Sequence, residues 1–398
     1  MHVVKLLHKL LDKTCSAVDK RVRRVLFEAA ETLTRCKQLS IFSLGRCLNR
    51  TAQVKNTIKC IDRLFGNRTL HAKGKLFYQE MTALILRRNK RPIIIVDWSG
   101  LTRCGAFHFL RACVPVGGRT LTLYEQAYPL KEYTSQKTHR EFLNTLKTCL
   151  PESCRPIVIT DAGFRNTWFK AVLTLDWDFI GRIRNKTQYC EINEKSWSPI
   201  KRLYEAATEK VSYIGCFLLA KSNSLLCHFY LMKQKKKNRV KCNLAGKKIQ
   251  CSVSKKHAKG ENEPWLIATS LSPNEISAVE IMLLYRKRMQ IEESFRDLKN
   301  TRNGLGLRHC RSYRLERLNV ALLIAALATL ILWLLGTAAK QKKLHYSFQA
   351  NTEKRWNVLS DFTIGWQVLE RGTINFTRKE LEKAFENIVA SAIWEPAC

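Results

Sequence analysis

Two uninterrupted runs of β-branched residues stand out in the first half of the chain, and each ends at an aspartate. Ile93–Val96 precedes Asp97, and the run from Ile157 to Thr160 precedes Asp161. Runs of this length and composition are typical of strands buried on both faces of a sheet. The pattern predicts two buried strands, each with a carboxylate immediately after its last residue.

The elements around these two strands alternate between strand and helix. Strands over about 106–115 and 119–128, joined at Gly117-Gly118, predict a hairpin. Helices are predicted over about 137–149 and 165–174, and a further strand from Phe179 to Ile183. Short strands and turns follow up to Pro264. This succession indicates an α/β fold.

Helical periodicity dominates both ends of the chain, in residues 1–85 and 345–398. The stretch from Ser43 to Leu64 predicts two short helices joined near Asn49–Thr51. Its apolar side chains should face inward and its basic ones outward, which is the outline of a helical DNA-binding module but also of any small basic bundle. The inward residues are Leu44, Leu48, Ile58 and Ile61, and the outward ones are Arg46, Arg50, Lys55 and Lys59.

Two long helices are predicted in the second half, over about 275–300 and over the uncharged stretch 320–336. The second would span about 25 Å, short of the ~30 Å hydrocarbon core of a membrane. Basic residues flank both of its ends, so it carries no orientation signal. A helix buried in a protein core is therefore favoured over a membrane span.

The helix at 275–300 supplies a candidate third acid. At about 100° per residue, Arg288, Glu292 and Lys299 all fall within about 60° of Tyr285. An adjoining apolar stripe should pack against the sheet, and it consists of Leu284, Ile291, Phe295 and Leu298. Glu293 points about 100° away from Glu292 and is predicted to face solvent. An ordinary amphipathic helix explains surface Glu and Lys, but not an aligned Tyr and Arg.

The chain carries 69 Lys and Arg against 33 Asp and Glu, a formal charge of +36, which points to a polyanionic partner. Nucleic acid is the first candidate and an anionic membrane surface the second. Eight of the sixteen residues at 233–248 are basic. This run either holds DNA phosphates without reading sequence or is a solvated loop. Its candidate contacts are Lys233, Lys235, Lys236, Lys237, Arg239 and Lys241.

The fifteen cysteines form no CxxC pair, so neither a zinc site nor a disulfide framework is supported. Cys154, Cys216 and Cys227 lie among apolar neighbours and are predicted to be small core residues. The N-terminal stretch lacks the long apolar segment of a secretory signal. A reducing, cytoplasmic compartment is expected.

Asp97, Asp161 and Glu292 together suit divalent metal chemistry. Neighbouring carboxylates repel one another unless protons or cations lie between them, and Mg²⁺, with Mn²⁺ as a substitute, prefers oxygen ligands. Two such ions would activate an attacking water or 3′-hydroxyl and stabilise the leaving oxygen of a phosphodiester. Arg288 and Lys299 could hold the phosphate oxygens, and Tyr285, on the same helical face, is a candidate for a supporting contact with the DNA.

The spacing Tyr285-x2-Arg288-x3-Glu292-x6-Lys299 resembles the signature of the insertion-sequence-four family of DDE transposases. The stretches RPIIIVDWSG, VITDAGFRNTWFK, KRMQIEESFRDLK and GLGLRH extend the resemblance over nearly the whole chain. It implies an RNase H-like mixed-sheet core with a β-rich insertion between the second and third acids. The implied segments are 1–85 (helical, DNA-binding), 86–184 (core), 185–270 (basic insertion), 271–340 (core, with Glu292) and 341–398 (helical).

The family's activity is cut-and-paste transposition, which comprises nicking, hairpin formation, hairpin opening and strand transfer. The resemblance implies double-stranded DNA as partner (terminal inverted repeats and target), a homodimer in the DNA complex, no membrane, and action at the prokaryotic nucleoid. It also makes Trp265 a candidate to stack on a base flipped from the duplex, worth roughly 1–3 kcal/mol. The alternative for Trp265 is a core residue at a strand start.

Two other functions are compatible with parts of the pattern. A decayed relative would bind element ends without cutting, and the three intact acids count against it. A nuclease of the RNase H fold would cut without joining, and the basic N-terminal region and long insertion disfavour it.

Overall fold

The computed structural model describes residues 2–11, 15–184, 186–235, 263–353 and 356–394. The chain forms two compact units. Unit 1 takes Met1–Pro156 and Lys287–Glu395, and unit 2 takes Ile157–Arg286. The architecture is mixed α/β, as the sequence predicts.

Unit 1 begins with six helices, which confirms the helical prediction for residues 1–85. They are α1 (His2–Leu11), α2 (Lys20–Cys36), α3 (Ile41–Cys47), α4 (Val54–Phe65), α5 (Arg68–Lys73) and α6 (Lys75–Leu86). Helices α3 and α4 meet at Gly45, where a Cβ atom would lie 2.6 Å from the Cα of Ile58. Only glycine allows this close approach without a shift.

The facing of the α3–α4 side chains is largely as predicted. Leu44, Leu48 and Ile61 are buried, and Arg46, Lys55 and Lys59 are exposed. Two residues differ from the prediction. Ile58 is only half-buried, and Arg50 folds back onto Glu28 of α2 instead of facing outward, because an opposite charge lies within reach.

Three antiparallel strands form the sheet of unit 1, in the order β3-β2-β1. They are β1 (Ile93–Gly100), β2 (Phe107–Val116) and β3 (Arg119–Pro129), followed by α7 (Gln136–Cys149). The predicted hairpin is confirmed. Its turn places Gly117 at φ 49° and Gly118 at φ 83°, which glycine adopts without steric cost.

The remaining helices of unit 1 are α10 (Met289–Lys299), α11 (Leu315–Gln341), α12 (Asp361–Arg371) and α13 (Arg378–Ser391). Helix α11 is longer than the predicted 320–336, since charged and polar residues continue the helix past the apolar stretch at both ends. Among the described residues it alone is long and apolar enough to cross a membrane, yet 89% of its most apolar window is buried. It packs against α2, α12, α13 and β3, which supports the interpretation as a core helix.

Unit 2 contains seven described strands in the order β4-β5-β10-β9-β8-β6-β7. They are β4 (Ile157–Thr160), β5 (Asp178–Ile183), β6 (Gln188–Glu191), β7 (Ser198–Pro199), β8 (Ser212–Leu219), β9 (Leu225–Met232) and β10 (Trp265–Thr269). Strands β4 and β5 are parallel, and the pairs that follow along the order are antiparallel. Helices α8 (Asn166–Leu173) and α9 (Ala278–Lys287) complete the unit's described helices.

Two sequence predictions need correction here. The single helix predicted over 275–300 is interrupted at Arg288, between α9 and α10, although Arg288 keeps helical backbone angles (φ −51°, ψ −36°). Cys154 and Cys227 are buried as predicted, whereas Cys216 of β8 is only half-buried, as are Ile214 and Gly215 before it.

Candidate active site

Asp97 lies within β1 rather than after it, which corrects the prediction that the strand ends there. Pairing with β2 continues to Gly100, opposite His108, so the strand runs on for three residues. The backbone N–H of Trp98 donates to Asp97 Oδ1 at 2.8 Å, and the Trp98 indole Nε1 donates to His139 Nε2 at 3.1 Å. Burial lowers the pKa of His139 to about 4, so its ring is a neutral acceptor at pH 7.

A row of three charged residues crosses the sheet of unit 1. Asp97 pairs in register with Arg111 on β2, and Arg111 pairs with Glu125 on β3. Residues directly opposite one another in antiparallel strands project on the same face. Arg111 Nη2 lies 2.6 Å from Glu125 Oε2, with side chains 6% and 0% exposed. A buried cation therefore stands beside Asp97, and a buried anion lies on that cation's far side.

Arg288 connects the two predicted acids of unit 1. Its Nη1 lies 3.5 Å from Asp97 Oδ2, and its Nη2 donates to Glu292 Oε1 at 2.8 Å. A hydrogen bond joins helix α10 to strand β3, because the backbone N–H of Thr120 donates to Ser294 Oγ at 2.8 Å. One guanidinium thus bridges two carboxylates that are almost two hundred positions apart in the chain.

Lys299 approaches the same region from the last turn of α10. Its Nζ donates to Ser99 Oγ at 2.6 Å and lies 5.7 Å from the ring centroid of Phe109. Burial lowers the pKa of the Lys299 ammonium to about 8, and the charges of Arg308 and Arg111 act in the same direction.

A groove of about 840 Å³ opens beside these residues. Glu292, Lys299 and Arg308 line it together with the backbone around Gly100, where β1 ends. We call it the Glu292 groove. Three further arginines line the groove, Arg103, Arg296 and Arg308, and the sequence analysis assigned a role to none of them.

Glu293 does not face solvent as predicted. It is less exposed than Glu292, at 33% against 44% of the side chain. Its carboxylate lies 2.6 Å from Arg296 and 3.8 Å from Arg119, which also binds Asp297. The helical wheel placed Glu293 correctly away from Glu292, but could not show that the β3 side chain Arg119 meets it there.

Asp161 lies in unit 2, directly after β4 as predicted. Its Oδ1 accepts a hydrogen bond from the backbone N–H of Gly163 at 2.8 Å. This local bond is the turn-capping role that a structural aspartate would also have. The convergence of Asp161 with Asp97 and Glu292 stays a prediction.

Trp265 and Tyr285 contact each other in unit 2, edge to face, with ring centroids 5.1 Å apart. Trp265 is half-buried at the start of β10, and Tyr285 is buried. Arg182 of β5 places its guanidinium 5.8 Å from the Trp265 ring, and burial lowers the pKa of Arg182. The sequence analysis missed Arg182, since only the pairing of β5 with β10 brings it to the tryptophan.

The basic run at 233–248 lies mostly outside the described residues, and so do Lys236, Lys237, Arg239 and Lys241. Lys233 and Lys235 are described and exposed, and Lys235 Nζ lies 3.6 Å from Glu209. The phosphate-binding role of the run stays a prediction.

Oxygen donors for a metal are present in both units, as carboxylates at Asp97, Glu292 and Asp161. Within the part of the chain that the structure describes, no group of three or more His, Cys, Asp and Glu side chains is arranged to hold a metal ion. In unit 1, Asp97 and Glu292 both contact one cation, the Arg288 guanidinium, so the two carboxylates are placed where a single positive charge can interact with both.

Comparison with known families gives a match that covers Asp97, Asp161 and Glu292. The model of the transposase DDE domain matches residues 88–331, more than half of the chain. No curated protein matches it. The matched region begins just before β1 and ends within α11, so it contains both acid-bearing strand regions and the helix of Glu292. The chain therefore belongs to the transposase DDE domain family.

Proposed function

We propose that this transposase is a cut-and-paste enzyme of the insertion-sequence-four family, resembling the transposase of the ten-type tetracycline-resistance transposon. It would nick the ends of a bacterial insertion sequence, form and open a hairpin, and transfer the strand to target DNA. The observation that carries this proposal is the Arg288 bridge between Asp97 and Glu292 beside Lys299, which brings together three residues of the signature and the first acid.

Asp97, Asp161 and Glu292 are proposed as the ligands of two divalent ions, Mg²⁺ or Mn²⁺. When bound, the ions lower the pKa of the attacking water or 3′-hydroxyl and stabilise the leaving oxygen. The carboxylates of Asp97 and Glu292 fit this role because both are aimed at one cationic group. The backbone bonds to Asp97 and Asp161 fix the orientation of these two carboxylates.

The cationic side chains of the site would hold the DNA backbone. Arg288 can exchange part of its contact with Glu292 for a phosphate oxygen, since that carboxylate is partly exposed. Lys299 offers an ammonium held by Ser99 at the wall of the Glu292 groove. Charge that develops on the phosphate oxygens during the reaction would be stabilised by these fixed donors.

Trp265 is proposed to act on the DNA in the hairpin steps, and Tyr285, which is buried against it, to support its ring. Trp265 is half-buried rather than enclosed, so part of its ring remains available for stacking. Its edge-to-face contact with Tyr285 holds the ring in one orientation, which reduces the entropy lost when a base stacks on it.

The other assignments are proposals that rest on charge and on the family. The helices α1–α6 would recognise the terminal inverted repeats, and the run at 233–248 would hold phosphates without reading sequence. The protein would act as a homodimer on DNA, in the cytoplasm of a prokaryote and at its nucleoid.

The test is a set of matched carboxylate variants. Asp97→Asn, Asp161→Asn and Glu292→Gln should each abolish Mg²⁺-dependent cleavage of element-end DNA while binding of the same DNA is largely retained. Cleavage is followed on end-labelled duplex and binding by gel shift in the absence of divalent ions. Glu293→Gln is the matched control, since Glu292 and not Glu293 is the proposed metal ligand. This variant should cleave DNA normally. Full activity of any of the three variants, or inactivity of the control alone, would reject the assignment.

A further inference from the structure

A second groove of unit 1 combines exposed aromatic rings with arginines. It has a volume of about 590 Å³ and lies between the start of α3, the end of α4 and the segment that leads into α11. Tyr313 and Phe42, which line it, are 70% and 63% exposed. Single exposed hydrophobic side chains are common, but two exposed rings in one concave surface indicate a binding role. We call this surface the Tyr313 groove.

The charge of the Tyr313 groove is uniformly positive. Arg311, Arg314 and Arg317 line it, and none of the described residues in its lining is acidic. Arg317 is paired with Asp62 of α4 and lies 5.9 Å from the ring centroid of Phe65, so its guanidinium is held in place. Arg311 and Arg314 are exposed and can move toward a ligand. A surface of this sign, in a chain of charge +36, fits an anionic partner.

A polar atom also points to a ligand. Among the described residues, His309 Nε2 is buried and has no hydrogen-bond partner, although His309 lines the groove. A buried ring nitrogen without a partner carries a free-energy cost that a ligand or an ordered water can remove. His309 is therefore a further polar side chain in the lining of the groove.

The walls of the Tyr313 groove are fixed to each other before any ligand binds. The backbone N–H of Leu39 donates to the Leu305 carbonyl at 3.1 Å, which ties the loop after α10 to the chain entering α3. Gly306 has φ +62°, and a Cβ there would lie 2.5 Å from the carbonyl oxygen of Lys37. The loop can approach this closely only with glycine.

The two grooves of unit 1 share one loop. Arg308 lines the Glu292 groove, and His309, the next residue, lines the Tyr313 groove. The two grooves are therefore adjacent along this loop.

We propose that the Tyr313 groove binds unpaired nucleotides of single-stranded DNA, with bases on Tyr313 and Phe42 and phosphates on Arg311 and Arg314. Aromatic rings interspersed with arginines are the usual means of holding single strands, because every base has a face that can stack. Duplex DNA has no exposed base faces except at its ends, so the rings favour unpaired strands. The inference rests on DNA as the partner and not on catalysis.

The experiment measures binding of the full-length protein to a fluorescent oligo-dT by anisotropy, without divalent ions, beside a blunt duplex of random sequence. Phe42→Ala/Tyr313→Ala should weaken oligo-dT binding by roughly 5- to 150-fold for each base that no longer stacks, and duplex binding by less than about twofold. Arg311→Gln/Arg314→Gln should flatten the salt dependence of oligo-dT binding by about 0.7 in slope for each phosphate that is no longer held. Tyr346→Ala, an exposed tyrosine outside the groove, is the matched control and should bind both DNAs as wild type does.

Tyr313→Phe separates a stacking role from a structural one, because it keeps the ring. It should bind oligo-dT as wild type does, and equal weakness of Tyr313→Phe and Tyr313→Ala would overturn the proposal. The proposal also fails if the double alanine variant binds oligo-dT normally or binds both DNAs equally weakly. A wild-type protein that binds oligo-dT through these rings but never cleaves DNA would reject the proposed function and leave this inference standing.

Discussion

Removing Arg111 should destabilise the protein more than any exposed ion pair can. Arg111 binds the Glu125 carboxylate through Nε at 2.7 Å and Nη2 at 2.6 Å, inside the sheet of unit 1. In Arg111→Met, the fully buried carboxylate loses its counter-ion. Breaking a buried pair from one side costs about 3–5 kcal/mol of unfolding free energy. Arg119→Met is the matched control, since its partner Asp297 is partly exposed, and it should cost about 1 kcal/mol or less.

The destabilisation should depend on pH. Burial raises the pKa of Glu125 above the ordinary 4.5, and Arg111 is the main influence that lowers it again. Without Arg111, the pKa of Glu125 in the folded state rises further above its value in the unfolded state. At a pH between these two pKa values, protonation of Glu125 stabilises the folded state. Stability of Arg111→Met relative to wild type should therefore improve as the pH falls from about 7 toward 5.

The assay is urea unfolding followed by near-ultraviolet circular dichroism, with the double variant Arg111→Met/Glu125→Leu completing a mutant cycle. Replacing both partners by apolar groups is often neutral or stabilising, so the double variant should recover most of the stability. A cost below about 1 kcal/mol for Arg111→Met, or strict additivity in the double variant, would refute this account of the buried pair.

Two further variants test other parts of the proposed mechanism. Lys299→Arg should extend DNA cleavage to higher pH: the wild-type ammonium, with a pKa of about 8, loses its charge above that value, whereas a guanidinium stays charged. Rates between about pH 7 and 10 check this, and identical profiles would contradict it. Trp265→Ala should slow hairpin formation by roughly 5- to 150-fold and leave first-strand nicking nearly normal. Nicked and hairpin products on labelled DNA separate the steps, and an equal decrease of both with a lowered melting temperature would make Trp265 a core residue.

Most elements of the fold could be predicted from the sequence because their signals are local. The β-branched runs before Asp97 and Asp161, the Gly117-Gly118 hairpin and the apolar α11 each depend on residues adjacent in the chain. Such patterns decide which face of an element is buried. The errors arose where partners are distant. Asp97 lies inside β1 because β2 continues to pair there, and nothing near Asp97 in sequence encodes that pairing.

The same distinction applies to the site. Helical spacing places Glu292 on the face of α10 that meets Arg288, and this part was predictable. The charged side chains that surround the two acids could not be predicted in this way. Arg111 stands beside Asp97 only through strand register, and Arg308 reaches the Glu292 groove only through a loop.

These distant cations change what the two acids can do. Arg288 and Arg111 stand next to Asp97, and the charge of Arg308 adds to the lowering of the Lys299 pKa that burial causes. Positive charge therefore outweighs negative charge in this part of unit 1. Two carboxylates alone would repel a DNA phosphate, whereas carboxylates set among four basic side chains can hold a cation and still admit a phosphodiester. Neutralising Arg288 or Arg308 should therefore weaken DNA binding, whereas Asp97→Asn and Glu292→Gln should abolish cleavage and leave DNA binding largely intact.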